Sequence, residues 1–368
     1  MRANFEEFHG DLRAVARDLL AGSGPLENGG DPRASLDGEL LAASGWSGLE
    51  VPEDMGGSGA TFAEVAIVLQ EMGHSGSLSS YLGSVVLGVG TLNLLEPDEA
   101  RRELLSQVAS GRARIAVALP TGDDAVPESA PSFHIESSGG RLGLSGRAPF
   151  VPDAPQADRL LLLARDPGGA AVVVDVPPEA PGLAVQEQEV LDATRRFGVV
   201  RADDVQVNEA AVWRFAADPE ESTRLLLERG AVAVACDSLG LAQAMLDATV
   251  AYAAVRQQFG RPIGSFQAVK HACADMLVQV AVSRELLAPA VRRVASSDGD
   301  DSAAVSMAKS FICEGSVNVV GKAMQLHGGI GYTWESGIHS YLKRAVLNRS
   351  FFGSPAMHRK RLAQRYAG

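Results

Sequence analysis

Apolar residues recur three and four positions apart in "FEEFHGDLRAVARDLLA" and again in "TFAEVAIVLQEMGHSG", the spacing of one face of a helix. Thr61 stands ahead of the second stretch as an N-cap. "NGGDPRAS" and "PEDMGGSG" interrupt the pattern and read as connecting loops. From about residue 116 the grammar changes to short β-rich runs between Gly, Pro and Asp breakers: "ARIAVALP", "SFHIESSGGRLGLSGRAPFV", "ADRLLLLARD", "AAVVVDVP" and "RRFGVVRADDVQV". That spacing predicts a small antiparallel barrel or sandwich. After about residue 217 the helical period returns in "ESTRLLLERGAVAVACDSLGLAQAMLDATVAYAAVRQQF", long enough for one very long helix. Two more follow, in "FQAVKHACADMLVQVAVSRELLAPAVRRVASS" and "DSAAVSMAKSFICEGSVNVVGKAMQLHGG", with "SDGDDS" as the turn and cap between them. Long helices with apolar stripes predict a bundle. The fold class is therefore α+β, with a helical unit over 1–115, a β unit over 116–216 and a helical bundle over 217–368.

Composition narrows the function. The chain has 368 residues, 46% hydrophobic and 21% charged, as a soluble globular protein does. No apolar run reaches the roughly 18 residues of a membrane span. The first twenty residues alternate charged and apolar positions, so they lack the apolar core of a signal peptide and the expected location is cytoplasmic. A net charge of −12 argues against a nucleic-acid partner, and any anionic ligand needs a local cluster of cations. Cys236, Cys273 and Cys313 are far apart in helix-like surroundings and read as structural thiols, with no zinc or dithiol spacing.

Four stretches carry candidate chemistry. In "VRQQFGRPIGSFQAVKHACADM" a helix ends at Gly260, with Arg256 in its last turn, Phe259 beside the glycine and Gln267 in the first turn of the next helix. A guanidinium there can meet a phosphate, and a glycine cap with a plain loop is the competing reading. In "QLHGGIGYTWE" a helix ends near His327, and Gly328, Gly329 and Gly331 let backbone N–H groups approach a diphosphate, or simply stop the helix. Glu228 and Asp237 are carboxylates among apolar neighbours on the long helix, either raised-pKa bases or partners of nearby arginines such as Arg229. His271, His327 and His339 form no metal-ligand spacing, and neither a nucleophile elbow nor a P-loop occurs.

Taken in order, "RQQFGRPIGSFQ", "ADM" and "QLHGGIGYTWE" resemble the C-terminal half of acyl-CoA dehydrogenases, and "GLEVPEDMGGSGATFAEVAIVLQEMG" with "LDATRRFGVVRADDVQV" extends the resemblance over nearly the whole chain. The resemblance implies a helical N-terminal domain, a central β-barrel and a C-terminal four-helix bundle, in a tetramer or dimer. It implies FAD held between subunits, with α,β-desaturation of an acyl-CoA thioester and an electron-transferring flavoprotein as acceptor. Carried over, Arg256 meets the FAD diphosphate, Phe259 and Phe266 pack near it, and Gln267 bonds the adenylate half. Gln325, Gly328 and Gly329 touch the cofactor near the diphosphate. In the family these contacts cross to the flavin of a neighbour.

Two departures qualify the resemblance. Where the family has a "TEPxAGSD"-like stretch, this chain has "ALPTGDDAV", with Thr121 as its remnant. Where the family has Tyr-Glu-Gly-Thr, with its Glu as the base, this chain has "FFGS", so Phe352 replaces the Glu. A second family position for the base falls on Gly230. Glu228 is two residues away, on nearly the opposite helical face, and is kept as the catalytic candidate ahead of Asp237. The pattern is that of the shorter subunits of actinobacterial heteromeric, steroid side-chain acyl-CoA dehydrogenases: a subunit completing a partner's FAD site in a heterotetramer. The alternatives are a homo-oligomeric dehydrogenase of an unusual or carrier-bound thioester, and a non-catalytic acyl-CoA-binding scaffold.

Overall fold

The computed structural model describes residues 2–25, 36, 38–120, 131–296 and 302–366, the side chains of 2–7 and 366 excepted. Thr121 and the turn expected at 297–301 lie outside the described residues. The N-terminal part holds α1 (Arg2–Leu20), α2 (Gly38–Ala43), α3 (Phe62–Ser75), α4 (Gly90–Leu92) and α5 (Glu99–Ala109), with a π-helical stretch, Tyr81–Val89, running into α4. Thr61 caps α3 as its sequence position predicts. Its hydroxyl accepts from the Ala63 N–H, while its own N–H donates to Glu64 at 2.8 Å, a reciprocal capping box.

The central strands are β1 (Ile115–Ala118), β2 (Phe133–Ser138), β3 (Arg141–Pro152), β4 (Arg159–Arg165), β5 (Ala171–Val176), β6 (Leu183–Gln188), β7 (Phe197–Val207) and β8 (Val212–Trp213). They pair in the order β6-β7-β3-β2-β4-β5-β8, with β1 added beside β4. The expectation of a wholly antiparallel unit is corrected, because β1 and β2 both run parallel to β4. The sheet is mixed, and among the described residues no pairing joins its two ends, β6 and β8. One face buries Leu144, Leu160, Leu162, Val172, Val174 and Val200 in a core of its own.

Then follow α6 (Pro219–Val255), the short hairpin β9 (Gln257–Gln258) and β10 (Arg261–Pro262), α7 (Gln267–Ser296), α8 (Ser302–His327), α9 (Ile338–Ser350) and α10 (Pro355–Tyr366). Asp218 caps α6, accepting from the Glu221 N–H at 2.8 Å, and Pro219 takes the first helical position, where its missing N–H costs nothing. From Leu226 to Ala242 every residue of α6 is buried, so this helix is the axis of the molecule rather than a surface element. Its Asp237 is the hub of a buried polar network, taking Arg344 at 3.0 and 2.5 Å, Arg195 at 3.0 Å and Asn348 at 2.6 Å. Burial opposes ionisation there, but Arg344 and Arg195 outweigh it and hold the carboxyl at about 2. No helix among the described residues is long and apolar enough to cross a membrane.

Candidate functional site

At the far end of α6 the helix stops at Val255, five residues before Gly260, where the sequence places the end. Arg256 is the cap, in extended conformation, and its carbonyl accepts from the Ile263 N–H at 2.8 Å. That bond closes the β9–β10 hairpin, whose turn is Phe259–Gly260 with φ of 55° and 77°. Two left-handed residues are what a two-residue hairpin of this hand requires, and a phenylalanine tolerates the first position poorly. Phe259 is nevertheless 92% exposed, edge-on to Phe266 at 6.1 Å. Arg261 lies over the Phe266 ring at 4.2 Å, and Gln267 opens α7 facing solvent.

The end of α8 stands beside this hairpin, because the Tyr252 and His327 rings stack at 4.5 Å. Gln325, Gly328 and Gly329 are all exposed at that end. Gly328 leaves the helix with φ of 63°, and open space lies over both glycines. Tyr332 and Trp334, 70% and 62% exposed, continue the surface. Sequence reasoning passed over these two rings and Arg261, although "GYTWE" sets two aromatics within three residues in a chain with only 5% aromatic residues.

This surface suits the diphosphate and adjoining rings of FAD. Arg256 has no carboxylate partner among the described residues, the glycine backbone is open to close approach, and apolar rings stand beside both. Arg256, Phe259, Gln267, Gln325, Gly328 and Gly329 are all exposed.

The two family positions for a base come together in space. Phe352 follows α9 in a left-handed conformation, φ 56°, and its ring lies flat against the backbone of Gly230. A Cβ at residue 230 would sit 2.5 to 2.7 Å from three carbons of that ring. Neither position carries a carboxylate, and the ring fills the space between them. It is the last of a row of four: Phe150 meets Phe197 at 6.4 Å, Phe197 meets Phe351 at 5.4 Å, and Phe351 meets Phe352 at 4.1 Å. The row runs from the sheet into the bundle.

Two buried side chains hold the Phe352 turn. Lys309 donates to the carbonyls of Asn348 and Arg349 at 2.8 and 3.1 Å, completing the end of α9, and burial lowers its pKa. His358 donates from Nε2 to the Phe352 carbonyl at 3.0 Å and accepts the Ser306 hydroxyl at Nδ1, 3.2 Å away. Burial pushes the His358 pKa down to about 4, so the ring is neutral near pH 7 and its unprotonated Nδ1 is free to accept that hydroxyl.

Glu228 is 1% exposed and shares a cavity of only about 10 Å³ with Phe352, Met357, His358 and Arg361. Arg224 donates to it at 2.5 Å and Arg293 lies at 3.6 Å. Burial pushes its pKa up against the pull of these arginines. Asp237, the other acidic candidate, is held ionised in its own network. Cys236 and Cys313 are buried and Cys273 is half-buried.

Residues 11–112 match the acyl-CoA dehydrogenase N-terminal domain family and residues 221–367 the C-terminal domain family. Over 323 residues the chain is 30% identical to the acyl-CoA dehydrogenase IpdE2 of Mycolicibacterium smegmatis, covering 88% of this chain and 85% of that protein. It is 26% identical to a chain of the ChsE4–ChsE5 complex from Mycobacterium tuberculosis, with a TM-score of 0.85 over 98% of this chain and 97% of that one. Against a chain of the Tcur3481–Tcur3483 steroid ACAD G363A variant it is 27% identical, with a TM-score of 0.84 over 98% of both. The helical ends, the mixed sheet and the outward-facing flavin motifs therefore have one common source: this chain belongs to the acyl-CoA dehydrogenase family, FAD-dependent oxidoreductases acting on CH–CH groups.

Proposed function

We propose that this chain is one subunit of a heteromeric acyl-CoA dehydrogenase. It lends the ends of α6 and α8 to a flavin lodged mainly in a homologous partner, and that partner supplies the base. The observation that carries the reading is the Phe352 ring seated on Gly230: neither position expected for a base holds a carboxylate, and the one in the remaining cavity of about 10 Å³, Glu228, is bound by Arg224. Its likeness to a chain of the two-component ChsE4–ChsE5 complex supports the same reading.

On this reading Arg256 neutralises diphosphate charge, while Phe259 and Phe266 cover it from water. Gln267 and Gln325 supply side-chain amide hydrogen bonds, and Gly328 and Gly329 offer backbone N–H groups. FAD, when bound, supplies the hydride acceptor for desaturation of the acyl-CoA. A closed barrel over 116–216 and a four-helix bundle within 217–368 belong to the same proposal, as do a cytoplasmic location and an electron-transferring flavoprotein as acceptor.

Glu228 acting as base in a homo-oligomer is disfavoured because its carboxylate is already held by Arg224 beside Arg293. The test is to co-express the chain with its homologous partner and compare two variants, scoring turnover per bound flavin. Arg256→Gln is expected to lower flavin retention at least tenfold, and Glu228→Gln to leave turnover per flavin unchanged. Loss of turnover in flavin-loaded Glu228→Gln would contradict the proposal.

A further inference from the structure

A cavity of about 780 Å³ lies in a trough between α1, α3, α6 and α7, away from the ends of α6 and α8 proposed for the flavin. Along α7, its Arg284 is about 25 Å from Gln267 at the cofactor end. The trough exists because α3 and α6 cross backbone to backbone. A Cβ on Gly240 would run into the Gln70 carbonyl, and one on Gly73 into that of Asp237. Two helices packed so closely make a low floor, with α1 and α7 rising on either side as walls.

The floor is apolar, with Ala63, Ala288 and Val291 at its surface and Ala66, Ile67, Leu239 and Leu287 buried beneath them. The walls are cationic. Arg13 and Arg17 project from α1, and both already reach the buried Glu71, at 3.3 and 3.0 Å. Arg284 and Arg292 stand two turns apart on α7, bracketing Leu287 and Val291. Arg284 bonds only the neutral Gln243 amide, at 3.0 Å, and Arg292 has no carboxylate partner among the described residues. Four guanidiniums thus face two carboxylates, Glu71 and Asp247, on a chain whose net charge is −12.

We propose that this trough docks an acidic amphipathic helix of a partner protein. Carboxylates on the incoming helix pair with Arg284 and Arg292 while its apolar ridge covers the floor. The α3 side of the floor from Ala63 to His74 is about 16 Å long, three turns of a docked helix. The trough is partly open to solvent, whereas small-molecule pockets enclose most of their ligand. An open groove with an apolar floor is the geometry of helix-in-groove recognition. Arginine forks on its rim favour carboxylates, whose planar geometry they match. The inference does not depend on the flavin reading.

A fluorescein-labelled peptide of about four turns, with leucines at helical spacing and glutamates on both flanks, tests it by anisotropy against the full-length chain. A scrambled peptide of the same composition is the control. The helical peptide is expected to bind at least tenfold more tightly than the scrambled one, and to weaken as salt rises. Arg284→Glu/Arg292→Glu, two exposed positions, is expected to reduce binding at least tenfold, whereas Phe259→Ala at the cofactor end leaves it unchanged. Equal binding of the two peptides, no binding, or undiminished binding by the arginine variant would each overturn the proposal. So would sedimentation showing that the arginine variant splits an oligomer, since a second copy would then be the occupant.

Discussion

While the Phe352 ring lies on the α6 backbone, a side chain at residue 230 has nowhere to go, so the two residues form one packing unit. Gly230→Ala is expected to destabilise the chain by about 1–3 kcal/mol, the usual range for an overpacked core. In a Phe352→Ala background the same change is expected to cost close to nothing, because the clashing ring is gone. Denaturant midpoints of the four members of the cycle measure this, and additivity would refute the contact. The same geometry means that a carboxylate at residue 230 requires Phe352 to change as well. A second residue-scale prediction concerns Asp153, buried with φ of 60° and accepting from the Gly83 N–H at 2.9 Å. Burial raises its pKa to about 7 against the backbone bond and Arg195. The folded state then holds the proton more tightly than the unfolded chain, so stability falls as pH rises from the ordinary carboxylate range through about 7. Between pH 5 and pH 8 the wild type should lose stability that Asp153→Asn keeps. Parallel melting curves across that range would contradict this.

Among the elements, α6 and α9 depend on one junction, where Asp237 gathers Arg344, Arg195 and Asn348. Removing its charge leaves buried guanidiniums uncompensated, so Asp237→Asn is expected to cost about 3–5 kcal/mol. Its folded pKa, about 2, is below the unfolded value, so the stabilisation is complete above the ordinary carboxylate range. It is lost as pH falls toward 2, and acid unfolding of the wild type between pH 5 and pH 2.5 should be steeper than that of Asp237→Asn. Equal slopes would remove Asp237 from the account.

Much at this scale was readable from periodicity: α1, α3, α6, α7, α8, the Thr61 cap and the β2–β3 hairpin all follow the apolar pattern. Two of the missed elements lack such a pattern, whereas α5, with Leu104, Leu105 and Val108 on one face, carries it and was passed over. β6, "LAVQEQ", is an edge strand of partly exposed residues, and Tyr81–Val89 is buried on every side, so neither has a contrasting face. The end of α6 was misplaced because a hydrogen bond from Ile263, not Gly260, closes it. The two stretches proposed for the flavin could be singled out from the sequence because each is contiguous, and the structure brings their ends together through the Tyr252–His327 stack. The Phe352–Gly230 contact and the Arg293 approach to Glu228 join distant parts of the chain, which no local spacing reports.

For the molecule as a whole, the two ends of the bundle point to opposite roles. The flavin motifs are turned outward, with Phe259, Tyr332 and Trp334 bare, while the place where a base would act is filled by a row of phenylalanines. Large exposed aromatics beside an unpaired arginine are what a subunit interface buries. The cavity beside Phe352, by contrast, measures only about 10 Å³. The central claim is that this chain completes a partner's flavin site and does not run one of its own. The direct measurement is flavin content and acyl-CoA turnover of the chain purified alone and then with its homologous partner. The account predicts little bound flavin and no turnover alone, with both appearing in the assembly. Full flavin loading with brisk turnover by the isolated chain would contradict it.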